Sequence, residues 1–70
     1  MNVLKTRHAA KNGRHIWLRQ HVRPGSGRRV YMWLDSAGFA EFMGRGEKSS
    51  HLKIRDAVAQ AKRHGYSLVD

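Results

Sequence analysis

The chain has 70 residues and no cysteine, and its 14 lysines and arginines against five aspartates and glutamates give a formal net charge of +9. A chain this short forms one small domain with a thin core. The lack of cysteine excludes a disulfide framework, a thiol nucleophile and a cysteine-ligated zinc site. The chain shows neither the apolar run of a signal peptide nor one that would span a membrane, so we expect a cytoplasmic protein with no membrane partner.

The positive charge is concentrated in the first half of the chain. Residues 1–34 contain eight lysines and arginines and no carboxylate, whereas residues 35–70 contain six cations and all five carboxylates. This segregation is typical of a surface that binds a polyanion, because each neutralised phosphate releases counterions. The competing explanation is general solubility, since small soluble proteins are often strongly charged.

Residues 1–13 have little periodicity and end in the turn signal Asn12-Gly13. We interpret them as either a basic arm or a short first strand. Residues 14–70 are interpreted as a single domain made of a sheet and a helix.

Two runs with a period of two follow, at residues 15–22 and 28–34, and they predict the strands of a hairpin. With a five-residue loop over 23–27, Leu18 lies opposite Met32, and Trp17 lies opposite Trp33. This register predicts a core-facing aliphatic face made of Ile16, Leu18, Val22, Val30, Met32 and Leu34. The opposite face then carries Trp17, Arg19, His21, Arg29, Tyr31 and Trp33.

The second half of the chain predicts a weaker third strand near residues 39–43 and a helix near residues 50–64, capped by Ser49 or Ser50. The helix has an apolar stripe that matches the aliphatic hairpin face, made of Ile54, Ala57, Val58 and Ala61. Gln60 falls on the opposite, polar side. The predicted fold is therefore α+β, a small antiparallel three-stranded sheet packed against one C-terminal helix.

Arginine supplies planar donors for phosphates and base edges, and tryptophan or tyrosine offers a surface for stacking. The candidate nucleic-acid-binding residues are Arg14, Trp17, Arg19, His21, Arg23, Arg28, Arg29, Tyr31 and Trp33. In a competing interpretation, Trp17 and Trp33 are covered by the N-terminal segment, or by the same aromatic face of a second chain in a homodimer. The loop arginines would then still be available for phosphate.

The runs NGRHIWLRQHV, GRRVYMWL and IRDAVAQAKRHG, within about residues 12–65, resemble the arm-type DNA-binding domain of tyrosine recombinases, which is a three-stranded sheet with a helix. They are also similar to the related plant AP2 fold. The resemblance implies a sheet inserted into the major groove of DNA, with contacts from Arg14, Arg19, Arg28, Arg29 and Tyr31. The segment DSAGFAEFMGRGEKSS departs from the family pattern, in which the sheet leads quickly into the helix. No recombinase catalytic domain is present, so strand cleavage is not implied.

We therefore expect a small nucleic-acid-binding protein, with double-stranded DNA favoured over RNA, that is not an enzyme and uses no cofactor or metal. One alternative is a small phage- or plasmid-type interaction protein that binds and inhibits an acidic host protein, because arginine and aromatic residues also dominate protein interfaces. The other is an RNA-binding protein or a small RNA-cleaving toxin. The five histidines are the feature that favours this second alternative. Their support is weak, because they have no tight ligand spacing and no accompanying acidic cluster.

Overall fold

The computed structural model describes residues 7–69. They form β1 (Arg7–Lys11), β2 (Arg14–Val22), β3 (Arg29–Asp35), β4 (Ser50–His51), α1 (Ile54–Arg63) and β5 (Ser67–Val69). The strands make one antiparallel sheet in the spatial order β4-β3-β2-β1-β5. The predicted α+β class is confirmed, but the sheet has five strands rather than three. No helix within residues 7–69 is long and apolar enough to cross a membrane.

Besides the predicted hairpin strands β2 and β3, the sheet contains β1 and β5 at one side and β4 at the other. β1 pairs with β2 across the Asn12-Gly13 turn, in which both residues have positive φ. β5 then pairs with β1, with Ala9 opposite Leu68. The interpretation of residues 1–13 as an arm or a strand falls partly on residues 1–6, which lie outside the described residues.

The segment near residues 39–43 is not a strand, contrary to the prediction. It consists of turns, with one isolated bridge between Leu34 and Ala40. The Asp35 carboxylate accepts hydrogen bonds from the backbone N–H groups of Ala37 and Phe39, both at 3.0 Å, and this local capping reverses the chain directly after β3. The reversal brings Phe42 into the core, where it is 1% exposed.

β2 and β3 pair one residue away from the predicted register. Leu18 lies opposite Trp33, and Trp17 lies opposite Leu34. The loop covers residues 23–28, one residue longer than predicted, and is closed by the Arg23 N–H donating to the Arg28 carbonyl at 2.9 Å. Because side chains alternate along a strand, a slip of one residue turns every side chain of β3 to the other face.

The core lies between α1 and one face of the sheet and contains Trp33. Its buried members are Ala9, Ile16, Leu18, Trp33, Phe42, Ala57, Ala61 and Tyr66. The expected core residue Val22 is 53% exposed, and Met32 and Leu34 are only partly buried. Val30 is buried outside this cluster. The observed register buries an indole in place of smaller side chains, which removes more apolar surface from water.

The helix is shorter than predicted, because residues 50 and 51 belong to β4. Lys53 is the N-cap and makes no side-chain capping bond, so the predicted serine cap is wrong. The predicted stripe is confirmed: Ala57 and Ala61 are buried, and Ile54 and Val58 pack partly buried against the core.

Candidate nucleic-acid interface

The helix packs against one face of the sheet, and within residues 7–69 no helix or strand covers the opposite face, which we call the open face. β2 is the central strand, so its open-face side chains form a row along the middle of the sheet. The row consists of His15, Trp17, Arg19 and His21. Strand alternation places the partly buried Met32 and Leu34 of β3 beside it. Val30 follows at the loop end, where it is 3% exposed and lines a cleft between the hairpin loop and residues 47–52.

Three aromatic rings form a cluster at the β1 side of this row. The rings of His8 and Trp17 are 5.1 Å apart and nearly parallel, at 5°, and the rings of His8 and His15 are 4.9 Å apart. His8 Nε2 and His15 Nδ1 are 2.7 Å apart, so one nitrogen donates a hydrogen bond and the other accepts it. The contacts hold the rings as an ordered apolar and hydrogen-bonding surface.

The hairpin loop adds cations at the end of the open face. Arg23 Nη2 donates to Ser50 Oγ at 3.1 Å, which connects the loop to β4. A cleft of about 550 Å³ lies between the loop and residues 47–52. Its polar lining consists of Arg23, Arg28, Glu47, Lys48, Ser49, Ser50, His51 and Asp56. Arginine and serine groups of this kind are typical partners of nucleic-acid phosphates.

On the helix side, the buried carboxylate of Glu41 is paired with basic and hydroxyl donors. Arg14 Nε donates to Glu41 Oε1 at 2.9 Å, and the Tyr66 hydroxyl donates to Oε2 at 2.6 Å. Burial by itself raises the pKa of Glu41, but the hydrogen bonds from Arg14 and Tyr66 and the charges of Arg14 and Arg45 outweigh it, so the pKa lies below its ordinary value. The guanidinium of Arg14, a candidate nucleic-acid contact, is therefore engaged in an ion pair with Glu41.

A second helix-side network surrounds Gln60, which is fully buried rather than solvent-facing as predicted. Its amide oxygen lies 2.7 Å from His51 Nε2, and its amide nitrogen donates to Glu47 at 2.9 Å and to the Lys48 carbonyl at 2.6 Å. Burial is tolerated because every polar group of this amide has a partner. The hydrogen bonds from Gln60 and His64 lower the pKa of Glu47 to about 2.

The slip in register divides the candidate residues among three places. Trp17, Arg19 and His21 lie on the open face, and Arg23 and Arg28 lie in the loop. Arg14, Arg29, Tyr31 and Trp33 alternate to the helix side. The expectation that Tyr31 and Trp33 share a face with Trp17 is therefore wrong: Trp33 is 1% exposed, and Tyr31 packs against the core.

The open face also contains residues that the sequence analysis did not select, above all His8 and His15. Their proximity follows from the pairing of β1 with β2, in which His8 lies opposite Trp17, and Ala10 lies opposite His15. The Asn12-Gly13 turn was the available signal, since it sets this pairing once residues 7–11 are read as a strand.

The remaining histidines give no multidentate site. His51 contacts Gln60 on the helix side, whereas His21 alternates to the open face, so these two do not meet. Within residues 7–69, no group of three or more histidines, aspartates or glutamates is arranged to hold a metal ion.

Comparison with protein-family models, curated proteins and solved structures gave no match for this chain.

Proposed function

We propose that the protein binds double-stranded DNA, with the open face and the hairpin loop as the contact surface. The observation that carries the proposal is the placement of the described carboxylates, none of which belongs to the strand residues of the open face. On the helix side, Glu41 and Glu47 are paired with cations, and Asp56 lies in α1. The described strand residues that alternate to the open face include histidines and Arg19 but no carboxylate. Asp35 borders this face, in a shallow cleft beside Trp17.

The shape of the hairpin supports duplex binding. The described pairing of β3 with β4 ends at Tyr31, whereas β2 and β3 remain paired as far as Val22 and Arg29. The end of the hairpin therefore projects past the edge strand β4 as a β-ribbon. The major groove of B-DNA, about 12 Å wide, admits such a ribbon. The loop arginines Arg23 and Arg28 would then contact the phosphates at the groove edge.

The same geometry favours DNA over double-stranded RNA. The major groove of A-form RNA is deep and narrow, so side chains on a ribbon do not reach its base edges. The resemblance to the arm-type domain of tyrosine recombinases supports the same mode of docking. Of the contacts that it implies, Arg19 and Arg28 are available to this surface, whereas Arg14, Arg29 and Tyr31 alternate to the helix side.

The test is the salt dependence of binding, measured by fluorescence anisotropy with a labelled DNA duplex and the RNA duplex of the same sequence. We expect the affinity for DNA to fall with salt, with a log–log slope of about −0.9 for each neutralised phosphate. Arg28→Ala should reduce the magnitude of this slope by about one. Arg55→Ala is the matched control, because it removes the same charge from an exposed position on α1.

Equal losses of affinity in Arg28→Ala and Arg55→Ala would show that the chain binds only as a diffuse polycation. Tighter binding to RNA than to DNA would favour the RNA-binding alternative.

A protein partner is a second candidate, and two exposed apolar side chains favour it. Phe39 is 72% exposed and Met43 is 65% exposed, both in the turns that follow β3. Contiguous exposed apolar patches are a feature of protein-binding surfaces, and these two side chains lie four residues apart in the sequence. If DNA binding is absent, Phe39→Ala and Met43→Ala are the variants to compare in a search for a partner protein.

A further inference from the structure

His8 and His15 present two ring nitrogens to each other at the surface of the open face. They are diagonal neighbours on adjacent antiparallel strands, which brings their side chains within reach. His8 Nε2 and His15 Nδ1 are 2.7 Å apart in an exposed contact. From this geometry we infer that the pair binds one divalent transition-metal ion, of the class of Zn²⁺, Ni²⁺ or Cu²⁺.

The distances need little adjustment to accept an ion. Two imidazole nitrogens bound to one tetrahedral ion, each at about 2.0–2.1 Å, are about 3.3 Å apart. The observed separation of 2.7 Å must therefore increase by about 0.6 Å. Rotation of the two side chains provides this movement while the strand pairing holds the backbone. The ion takes the place of the shared hydrogen, and the donating histidine moves its proton to its other ring nitrogen.

The class of ion follows from the ligands. Neutral imidazole suits zinc, copper and nickel, whereas calcium and magnesium prefer oxygen ligands. Since no third histidine, aspartate or glutamate within residues 7–69 joins the pair, water completes the coordination. The ion would bind to a folded surface that does not need it, in contrast to the structural sites of zinc fingers. This inference does not rest on DNA binding.

Trp17 provides a built-in reporter, because its indole lies against His8 with a ring separation of 5.1 Å. The experiment uses tag-free protein at neutral pH, with Zn²⁺ followed by isothermal calorimetry and Ni²⁺ followed by tryptophan fluorescence. We expect one ion to bind per chain and Ni²⁺ to quench the fluorescence at saturation. Trp17→Phe should remove most of the quenching and retain the heat of Zn²⁺ binding.

The decisive variants are His8→Ala and His15→Ala, each of which should weaken Zn²⁺ binding at least about tenfold. His21→Ala is the matched control, because it removes another exposed histidine from the same face and should bind Zn²⁺ like the parent protein. Circular dichroism checks the fold, and His8→Gln and His15→Gln replace any alanine variant that unfolds.

Three results would overturn the inference. They are the absence of saturable binding, retention of full affinity when His8 or His15 is replaced, and an equal loss of affinity in His21→Ala.

Discussion

Replacing Trp33 by alanine should destabilise the protein far more than replacing Trp17. Trp33 is 1% exposed, and its indole N–H donates to the Ala57 carbonyl at 2.8 Å. Truncating a buried tryptophan costs about 3–5 kcal/mol, and the lost hydrogen bond adds about 1 kcal/mol. A domain of 70 residues has a total stability of roughly 3.5–10 kcal/mol. Trp33→Ala should therefore remove between about 40% and all of that stability.

Trp17 is only partly buried and contacts His8 on the open face. Its replacement by alanine loses a stacking contact and some apolar burial, which together amount to about 1–2 kcal/mol. Trp33→Phe should lie between the two alanine variants, since it keeps most of the apolar contact and loses the hydrogen bond.

Urea denaturation followed by far-ultraviolet circular dichroism measures all three variants against the parent protein. Equal destabilisation by Trp17→Ala and Trp33→Ala would refute the reasoning. Both indoles would then lie on one face, as in the register with Leu18 opposite Met32.

Leu18→Ala and Met32→Ala should differ in their effect on the free energy of unfolding, measured by urea denaturation. Leu18→Ala should cost about 2–5 kcal/mol, because Leu18 is 3% exposed. Met32→Ala should cost clearly less, because Met32 is only partly buried. Equal costs would contradict the observed pairing. The pKa of Glu47 is lowered to about 2 in the folded state, so its contribution to stability is complete above about pH 4.5 and is lost as the pH falls toward 2. Glu47→Gln should flatten the decline in melting temperature over this range, and an unchanged decline would count against the network. Gly65 has a φ of +86° after α1, so Gly65→Ala should cost about 1–2 kcal/mol through left-handed strain, whereas an unchanged melting temperature would argue against that conformation.

Local patterns in the sequence were sufficient for the hairpin and the helix. A period of two predicted strands at 15–22 and 28–34, and the structure has Arg14–Val22 and Arg29–Asp35. The helical spacing of Ala57 and Ala61 identified the face of α1 that is buried. These features depend on side chains only a few residues apart in the sequence, so a single stretch of sequence contains the necessary information.

The register of the hairpin depended on a choice that the pattern left open. β3 reads RVYMWLD, with apolar side chains on both of its faces, so either face could be turned toward the helix. The burial of Trp33 against Ala57, and the loop of 23–28, decide between them. That one slip places Tyr31 and Trp33 on the helix side and Arg28 in the loop, whereas Trp17, Arg19 and His21 keep the face that alternation along β2 predicts.

The sequence by itself determined a basic α+β domain with a hairpin, a helix and an excess of cations in its first half. Tertiary structure alone decided that β1 and β5 complete the sheet, because His8 pairs with Val69 across almost the whole chain and neither strand has a strong local pattern. It also decided that Glu41 and Gln60 are buried and that His8 meets His15, since these contacts join separate segments. Non-local contacts of this kind depend on how the elements pack together, which the periodicity of each element does not encode.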